Sequence, residues 1–126
     1  MKLGFIGTGQ IAKATILGIL GSDLKINKIY ISQRNKKISS QLSKKSKKIF
    51  ILKDNQEIIN KSNWIFLSIT PDVGNKILKN LKFKSSQTII NFISTIGTSQ
   101  LKKYIKNRDK TLVKYTTHRF RRVENI

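Results

Sequence analysis

Cysteine is absent from this sequence, acidic residues number only six, and there is a single histidine. The first absence excludes disulfides, thiolate metal sites and a thiol nucleophile. The scarcity of carboxylates and imidazole leaves no paired acids, no serine triad and no cluster of metal ligands, so little acid/base machinery is on offer. No catalytic residue is nominated on these grounds, and no metal ligand. Apolar runs are short, and Met1 leads straight into the first predicted strand without a cationic leader, so neither a signal peptide nor a membrane helix is expected. These absences predict a soluble, cytoplasmic protein without a membrane partner, and they leave its oligomeric state open. A chain of 126 residues builds one domain and buries roughly two-thirds of its unfolded surface.

Lysine and arginine are present in excess, 26 of them against the six acids, for a formal charge of +20. Such a chain binds polyanions non-specifically at low salt, which makes a nucleic-acid-binding α/β protein the rival reading. The lysines, however, are scattered over nearly every segment instead of lining one face. Isoleucine and asparagine are also abundant, and all three residues have A/T-rich codons. Base composition therefore accounts for the charge as well as a polyanion partner does.

The stretch KLGFIGTGQIAKATILGIL, Lys2 to Leu20, carries the strongest signal. A short apolar run ends at Ile6, Gly7-Thr8-Gly9-Gln10-Ile11-Ala12 follows, and apolar residues then recur largely at helical spacing. Strand, glycine turn and helix in this order form the context of the dinucleotide fingerprint G-x-G-x-x-G/A. Gly7 permits the turn, Gly9 lets the backbone approach a pyrophosphate, and Ala12 lets the helix pack on the strand. The phosphates would sit on the first amides of the helix, where unpaired donors and the positive dipole end converge.

Beyond a turn at Gly21-Ser22-Asp23, Lys28 to Ser32 reads as the second strand. An NAD site usually carries a carboxylate at its end to hold the ribose 2′-hydroxyl. Here the sequence is Ser32-Gln33-Arg34-Asn35-Lys36-Lys37, with no carboxylate. A 2′-phosphate would instead meet the Arg34 guanidinium, with Gln33 and Asn35 as neutral donors and lysines nearby. NADP is the cofactor this pattern favours. Residues Lys36 to Lys48 read as a weak, mostly solvated helix bearing Ile38 and Leu42, and Phe50 to Leu52 as a short strand. Asp54 and Glu57 have the spacing of a capping box before a helix with Ile58 and Ile59. Trp64 to Ile69 is a continuous apolar run expected of a central parallel strand. Thr70 as cap and Pro71 at the first helical position then start a helix containing Ile77, Leu78 and Leu81. Thr88 to Ile93 is the next buried strand, Ser94 to Ser99 a polar loop, and Leu101, Tyr104 and Ile105 mark a last short helix. Thr111 to Tyr115 reads as an edge strand. This alternation predicts an α/β fold, a Rossmann-type doubly wound parallel sheet in a single domain over residues 1–115, with ligands at the carboxyl ends of the strands. The glycine turn, Gln33, Arg34, Asn55, Ser68 to Pro71 and Ser94 all fall at those ends.

With these residues placed, the chain resembles pyrroline-5-carboxylate reductase, and specifically the N-terminal NADP-binding domain of that family. Four stretches carry the likeness: GFIGTGQIA, KDNQEII, WIFLSITPD and IINFISTIGTSQLKKYI. The resemblance implies reduction of a cyclic imine by NADPH in proline biosynthesis. It implies that Ile6, Gly7, Thr8, Gly9, Gln10 and Ile11 form the pyrophosphate turn and that Gln33 and Arg34 meet the adenosine phosphate. It further implies that Asn55 contacts the cofactor, that Ser68, Ile69, Thr70 and Pro71 run along ribose and nicotinamide, and that Phe92 to Ser94 lie at the nicotinamide end. Thr70 stands where the family usually has lysine, and Thr95 where it has glycine. Because the domain alone does not name a substrate, a deazaflavin-linked NADP reductase or a hydroxyacid dehydrogenase is a further alternative.

Family members continue into a helical domain that makes the dimer and closes the substrate pocket. Residues 116–126 show neither helical nor strand periodicity and are expected to form a basic, disordered tail. The expectation is thus a truncated or frame-shifted reductase, able to use its small-molecule substrate only if a second domain is supplied. On the phosphate assignment, Arg34→Ala should weaken NADPH binding about ten- to a hundredfold, a loss of roughly 1.5–3 kcal/mol. NADH affinity should barely move; equal losses for both cofactors, in parallel titrations, would refute the assignment.

Overall fold

Short apolar runs, separated by polar connections, form the strands of the computed structural model, and the central ones are buried on both faces. The structure describes residues 1–33, 35–104, 111–115 and 122–125. Strands β1 Lys2–Ile6, β2 Lys28–Ser32, β3 Ile49–Leu52, β4 Trp64–Leu67 and β5 Thr88–Asn91 are each followed by a helix. The helices are α1 Gln10–Leu20, α2 Lys36–Ser43, α3 Asn55–Lys61, α4 Pro71–Ile77, extended by a 3-10 turn at Leu78–Asn80, and α5 Thr98–Tyr104. With β6 Thr111–Tyr115 and β7 Arg122–Asn125 the sheet has the order β3-β2-β1-β4-β5-β6-β7. Neighbours from β3 through β6 pair parallel, and β7 returns antiparallel. This is the doubly wound Rossmann-type sheet that the alternation predicts, with its order reversing between β1 and β4.

Side-chain alternation divides the core into two layers. Leu3, Phe5, Ile29, Ile31, Phe66 and Ile90 project to one face, where Ala12 and Ile16 of α1 and Ile38 and Leu42 of α2 cover them. Ile6, Tyr30, Ile65, Leu67 and Ile89 project to the other, against Ile58 and Ile59 of α3, Leu78 beyond α4, and Leu101 of α5. The rings of Phe5 and Phe66, paired in register across β1 and β4, stack with centroids 4.3 Å apart, so the sheet is anchored just below the point where its order reverses.

Helix starts follow local chemistry. Asn35 accepts from the Ile38 amide at the head of α2, and Thr70 from the Val73 amide at the head of α4, where Pro71 stands in the first turn. Asp54 caps α3, but by accepting from the Gln56 amide, and Glu57 does not complete a capping box: it reaches forward to Lys61 at 3.7 Å. A glutamate four residues before a lysine gains from this pairing, and the basic chain supplies the partner. Helix α2 stops at Ser43, short of the expected Lys48, because the Ser46 hydroxyl accepts from the Lys48 amide and turns the chain. Trp64, expected to be buried at the start of a central strand, is 38% exposed.

Two expectations for the end of the chain change. Thr111–Tyr115 is not an edge strand, since β7 covers it. Residues 122–125 are not an irregular tail but form that covering strand. Main-chain pairing with β6 supplies the order there, which four residues without an apolar pattern do not advertise. Ile105 and the basic cluster around His118 lie outside the described residues.

Close packing of α3 on β1 depends on Gly4. A Cβ at this position would collide with Ser62 Oγ and come within 2.8 Å of Ile58 Cγ2. Gly4→Ala should therefore destabilise the domain by about 1–3 kcal/mol. Urea unfolding would read this as a lower midpoint at constant slope, and an unchanged midpoint would mean that α3 can back away freely.

Candidate dinucleotide-binding site

The exits of β1 and β4 meet at the reversal of strand order, and the chain ties them together with side-chain hydroxyls. Gly7 takes φ +92°, and a Cβ on it would lie 2.5 Å from Ile69 Cγ2 and 2.6 Å from the Ser68 carbonyl. Glycine is thus required twice, by backbone conformation and by space. The Ser68 hydroxyl donates to the Gly7 carbonyl at 2.7 Å, and the Ser68 amide donates to the Ile6 carbonyl at 2.9 Å. On the other side, Thr8 Oγ1 donates to the Ser32 carbonyl and is paired with the Ser32 hydroxyl, both at 2.8 Å. The glycine turn is fastened to β4 by one hydroxyl and to β2 by another.

These bonds revise what the individual residues contribute. Thr8 and Ile6 are buried; the Thr8 hydroxyl braces the turn, and the Ile6 side chain belongs to the core. The Ser68 hydroxyl proton is likewise committed to the turn. Gly9 is different: nothing lies within 4 Å of the Cβ it lacks. The space a side chain would fill there opens directly over the head of α1. Helices α2, α3 and α4 each have a side chain accepting from their first amides, whereas α1 has none and no acid in its first turn. Its free donors and dipole are left for an anion. A diphosphate fits this place, because the backbone is bare and the amides are unpaired.

A groove of about 580 Å³ runs over the turn, lined by Gly7, Thr8, Gly9, Asn35, Lys36, Ser68, Ile69, Thr70 and Val73. A smaller one of about 270 Å³ lies at the ends of β2 and β3, lined by Ser32, Gln33, Lys36, Lys53 and Asn55. The structure therefore brings together most of the residues singled out in the sequence: Gly7, Thr8, Gly9, Ser68, Ile69 and Thr70 in the first groove, Gln33 and Asn55 in the second. Gln10 and Ile11, both exposed, form the first turn of α1, and Pro71, half-buried, opens α4. Ser94, also exposed, is not among the lining residues of either groove. Arg34 lies outside the described residues.

Some contributors were not singled out beforehand. Lys53, although it opens the stretch KDNQEII, was given no role, and Val73 lies just past WIFLSITPD; both line the grooves. Asn91 is buried; its side chain accepts from the Ile93 amide at 2.9 Å and donates to the Ile96 carbonyl at 2.8 Å. It thereby shapes the loop beyond β5. The signal available in the sequence was a polar residue inside the apolar run TIINFI.

Residues 2–95 match the family described as NADP oxidoreductase coenzyme F420-dependent. The chain belongs to this family. As a member it is an oxidoreductase-type NAD(P)-binding domain. It is similar in structure to 1-pyrroline-5-carboxylate reductase from Streptococcus pyogenes, with 29% identity and a TM-score of 0.74. It shares its fold with the Plasmodium falciparum pyrroline carboxylate reductase solved with NADP bound, at 23% identity and a TM-score of 0.71. The same holds for prephenate dehydrogenase from A. aeolicus, solved with NAD+, at 16% identity and 0.70. In each case 90% of this chain is covered but only 41% of the other, so the chain spans well under half the length of these proteins. No curated protein matches it. Among the described residues no helix is long and apolar enough to cross a membrane, and no group of three or more His, Cys, Asp or Glu side chains could hold a metal ion.

The two glycines of the turn should separate on mutation. Gly7→Ala should lower stability by about 1–3 kcal/mol through left-handed strain and overlap. Gly9→Ala should leave the urea midpoint almost unchanged and lower dinucleotide affinity, because its methyl would occupy the space left for phosphate. Titration and unfolding measured on both variants check the pair of outcomes.

Proposed function

We propose that this chain is the NADP-binding part of a reductase of the pyrroline-5-carboxylate reductase kind, acting in cytoplasmic proline biosynthesis. The observation that carries the reading is the open space at Gly9 above the uncapped head of α1, beside a β2 end where the groove has no carboxylate among its described lining residues. The first feature suits a diphosphate, and the second suits a phosphorylated in preference to a free adenosine ribose. NADPH, when bound, supplies the hydride that reduces a cyclic imine. The chain's own share is to bind and orient. The amides of Gln10 and Ile11 hold the diphosphate, and the Ser68 and Thr8 braces keep the turn from shifting. Ile69 and Val73 give the groove an apolar wall that excludes water. No residue of the chain is assigned as a proton donor, and small-molecule substrate binding falls to a second domain. Polyanion binding by the basic surface is then non-specific and confined to low salt.

A second reading has one observation behind it. The matched family is described by coenzyme F420, a deazaflavin, so the hydride partner of NADP would be a deazaflavin ring instead of an imine. Both readings place NADP in the same groove.

Thermal unfolding with added ligand tests what the readings share. NADPH at about a hundred times its Kd should add roughly 2.7 kcal/mol of stability and raise Tm. NADH at equal concentration should add less. A short DNA duplex should stabilise only at low salt. Stabilisation by DNA at physiological salt, with no response to NADPH, would favour a nucleic-acid-binding protein instead.

A further inference from the structure

Three consecutive residues of α4 meet three different neighbours. Val73 lines the larger groove. Gly74 is pressed against the loop beyond β5: a Cβ on it would lie 2.9 Å from Ile96 Cδ1 and 3.3 Å from Ile93 Cδ1. Asn75 faces α5, where its Oδ1 accepts from the Tyr104 hydroxyl at 2.8 Å and from Gln100 Nε2 at 3.3 Å. The two donors come from successive turns of α5 and meet on one oxygen, with Gln100 Nε2 also 3.4 Å from the Tyr104 oxygen.

Helix α4 has little else to hold its head in place. It is seven residues long, and Gly74 is its one buried residue. The bond that caps it, from the Val73 amide to Thr70 Oγ1, is long at 3.5 Å. Leu78 anchors the far end in the core. The near end carries Thr70 and Val73 into the groove and leans on the β5–α5 loop and on α5. Together with Ile69 these residues form the groove's wall over the exit of β4, opposite Asn35 and Lys36, which follow β2.

We infer that Asn75 and Tyr104 are positioning residues for the nicotinamide half of the dinucleotide, because their bond fixes how far the α4 wall stands from the glycine turn. This rests on the dinucleotide reading given above and deepens it. With the diphosphate over Gly9 and the adenosine toward the end of β2, the other half of the molecule extends over the exit of β4, along that wall. Neither Asn75 nor Tyr104 lines the groove, so their effect reaches the ligand through Thr70 and Val73. A wall set before the ligand arrives lowers the cost of ordering it on binding.

Tyr104→Phe removes the hydroxyl and keeps the ring, which packs against the core. Asn75→Leu removes the shared acceptor from an exposed position. Calorimetric titration of the full chain with NADPH, and with adenosine 2′,5′-bisphosphate, which lacks the nicotinamide half, reads the two ends of the site separately. Each variant should raise the Kd for NADPH about three- to tenfold, the range of one hydrogen bond, and leave that for the bisphosphate unchanged. The double variant should lose no more than Asn75→Leu alone, since both changes act through one contact. Asn75→Asp keeps an acceptor oxygen and should preserve the ratio of the two affinities. A merely structural role would lower the urea midpoint and weaken both ligands in proportion. Losses for the bisphosphate equal to or greater than those for NADPH, no change with either ligand, or losses that add in the double variant overturn the positioning role while the dinucleotide reading stands. So does an unaltered chain that binds the bisphosphate as tightly as NADPH, because the nicotinamide half then makes no contact to lose. An unaltered chain that binds neither ligand overturns the dinucleotide reading itself, and this inference with it.

Discussion

The bond from the Ser68 hydroxyl to the Gly7 carbonyl is the contact on which the site depends. It fixes the exit of β1 against the exit of β4 where the strand order reverses and the two connections leave toward opposite faces. With Thr8 bound to Ser32 on the far side, the turn is held from both flanking strands. The direction in which α1 leaves the sheet is then set by β2 and β4 together. A loop of free glycines would sample many directions; this one is held to one by three hydroxyl groups. Rigidity of this kind keeps the cost of ordering low when a ligand arrives.

Beneath the turn, packing does the same work with apolar groups. The stacked Phe5 and Phe66 rings tie β1 to β4 on one face of the sheet, while Ile6, Ile65 and Leu67 lie in the core on the other. Gly4 lets α3 settle against β1 without a side chain between them. Small residues thus occur where two backbones must approach, and large ones where they must be kept apart. Polar side chains buried at the margins are satisfied internally. Gln87 donates to the carbonyls of Ile59 and Ser62 and accepts from the Lys84 amide, which clasps the end of α3 to the entry of β5.

Much of this was legible in the amino-acid order. The first strand ends at Ile6 and the second runs from Lys28 to Ser32, as read from their apolar runs, and Thr70-Pro71 announces α4 because capping and proline chemistry are local. The glycine fingerprint was legible for the same reason. What escaped was non-local. Lys53 acquires meaning only when β2 and β3 are known to end as neighbours, and a lysine in a chain full of lysines carries no mark of its own. The bracing by the Thr8 and Ser68 hydroxyls was not legible because their partners, Ser32 and Gly7, lie 24 and 61 residues away. Strand β7 escaped because its order comes from main-chain pairing with β6, which imposes no apolar pattern on four residues.

The pairing of Glu57 with Lys61 has a consequence for the whole chain. It is an exposed contact of the kind that contributes about 0–1 kcal/mol, and six acids cannot neutralise 26 cations however they are arranged. The folded domain therefore carries uncompensated self-repulsion, which dissolved electrolyte relieves. A phosphate-bearing cofactor is then a counter-ion as well as a reactant. Fold and grip respond to ionic strength in opposite senses: raising it strengthens the scaffold and loosens its hold on the dinucleotide.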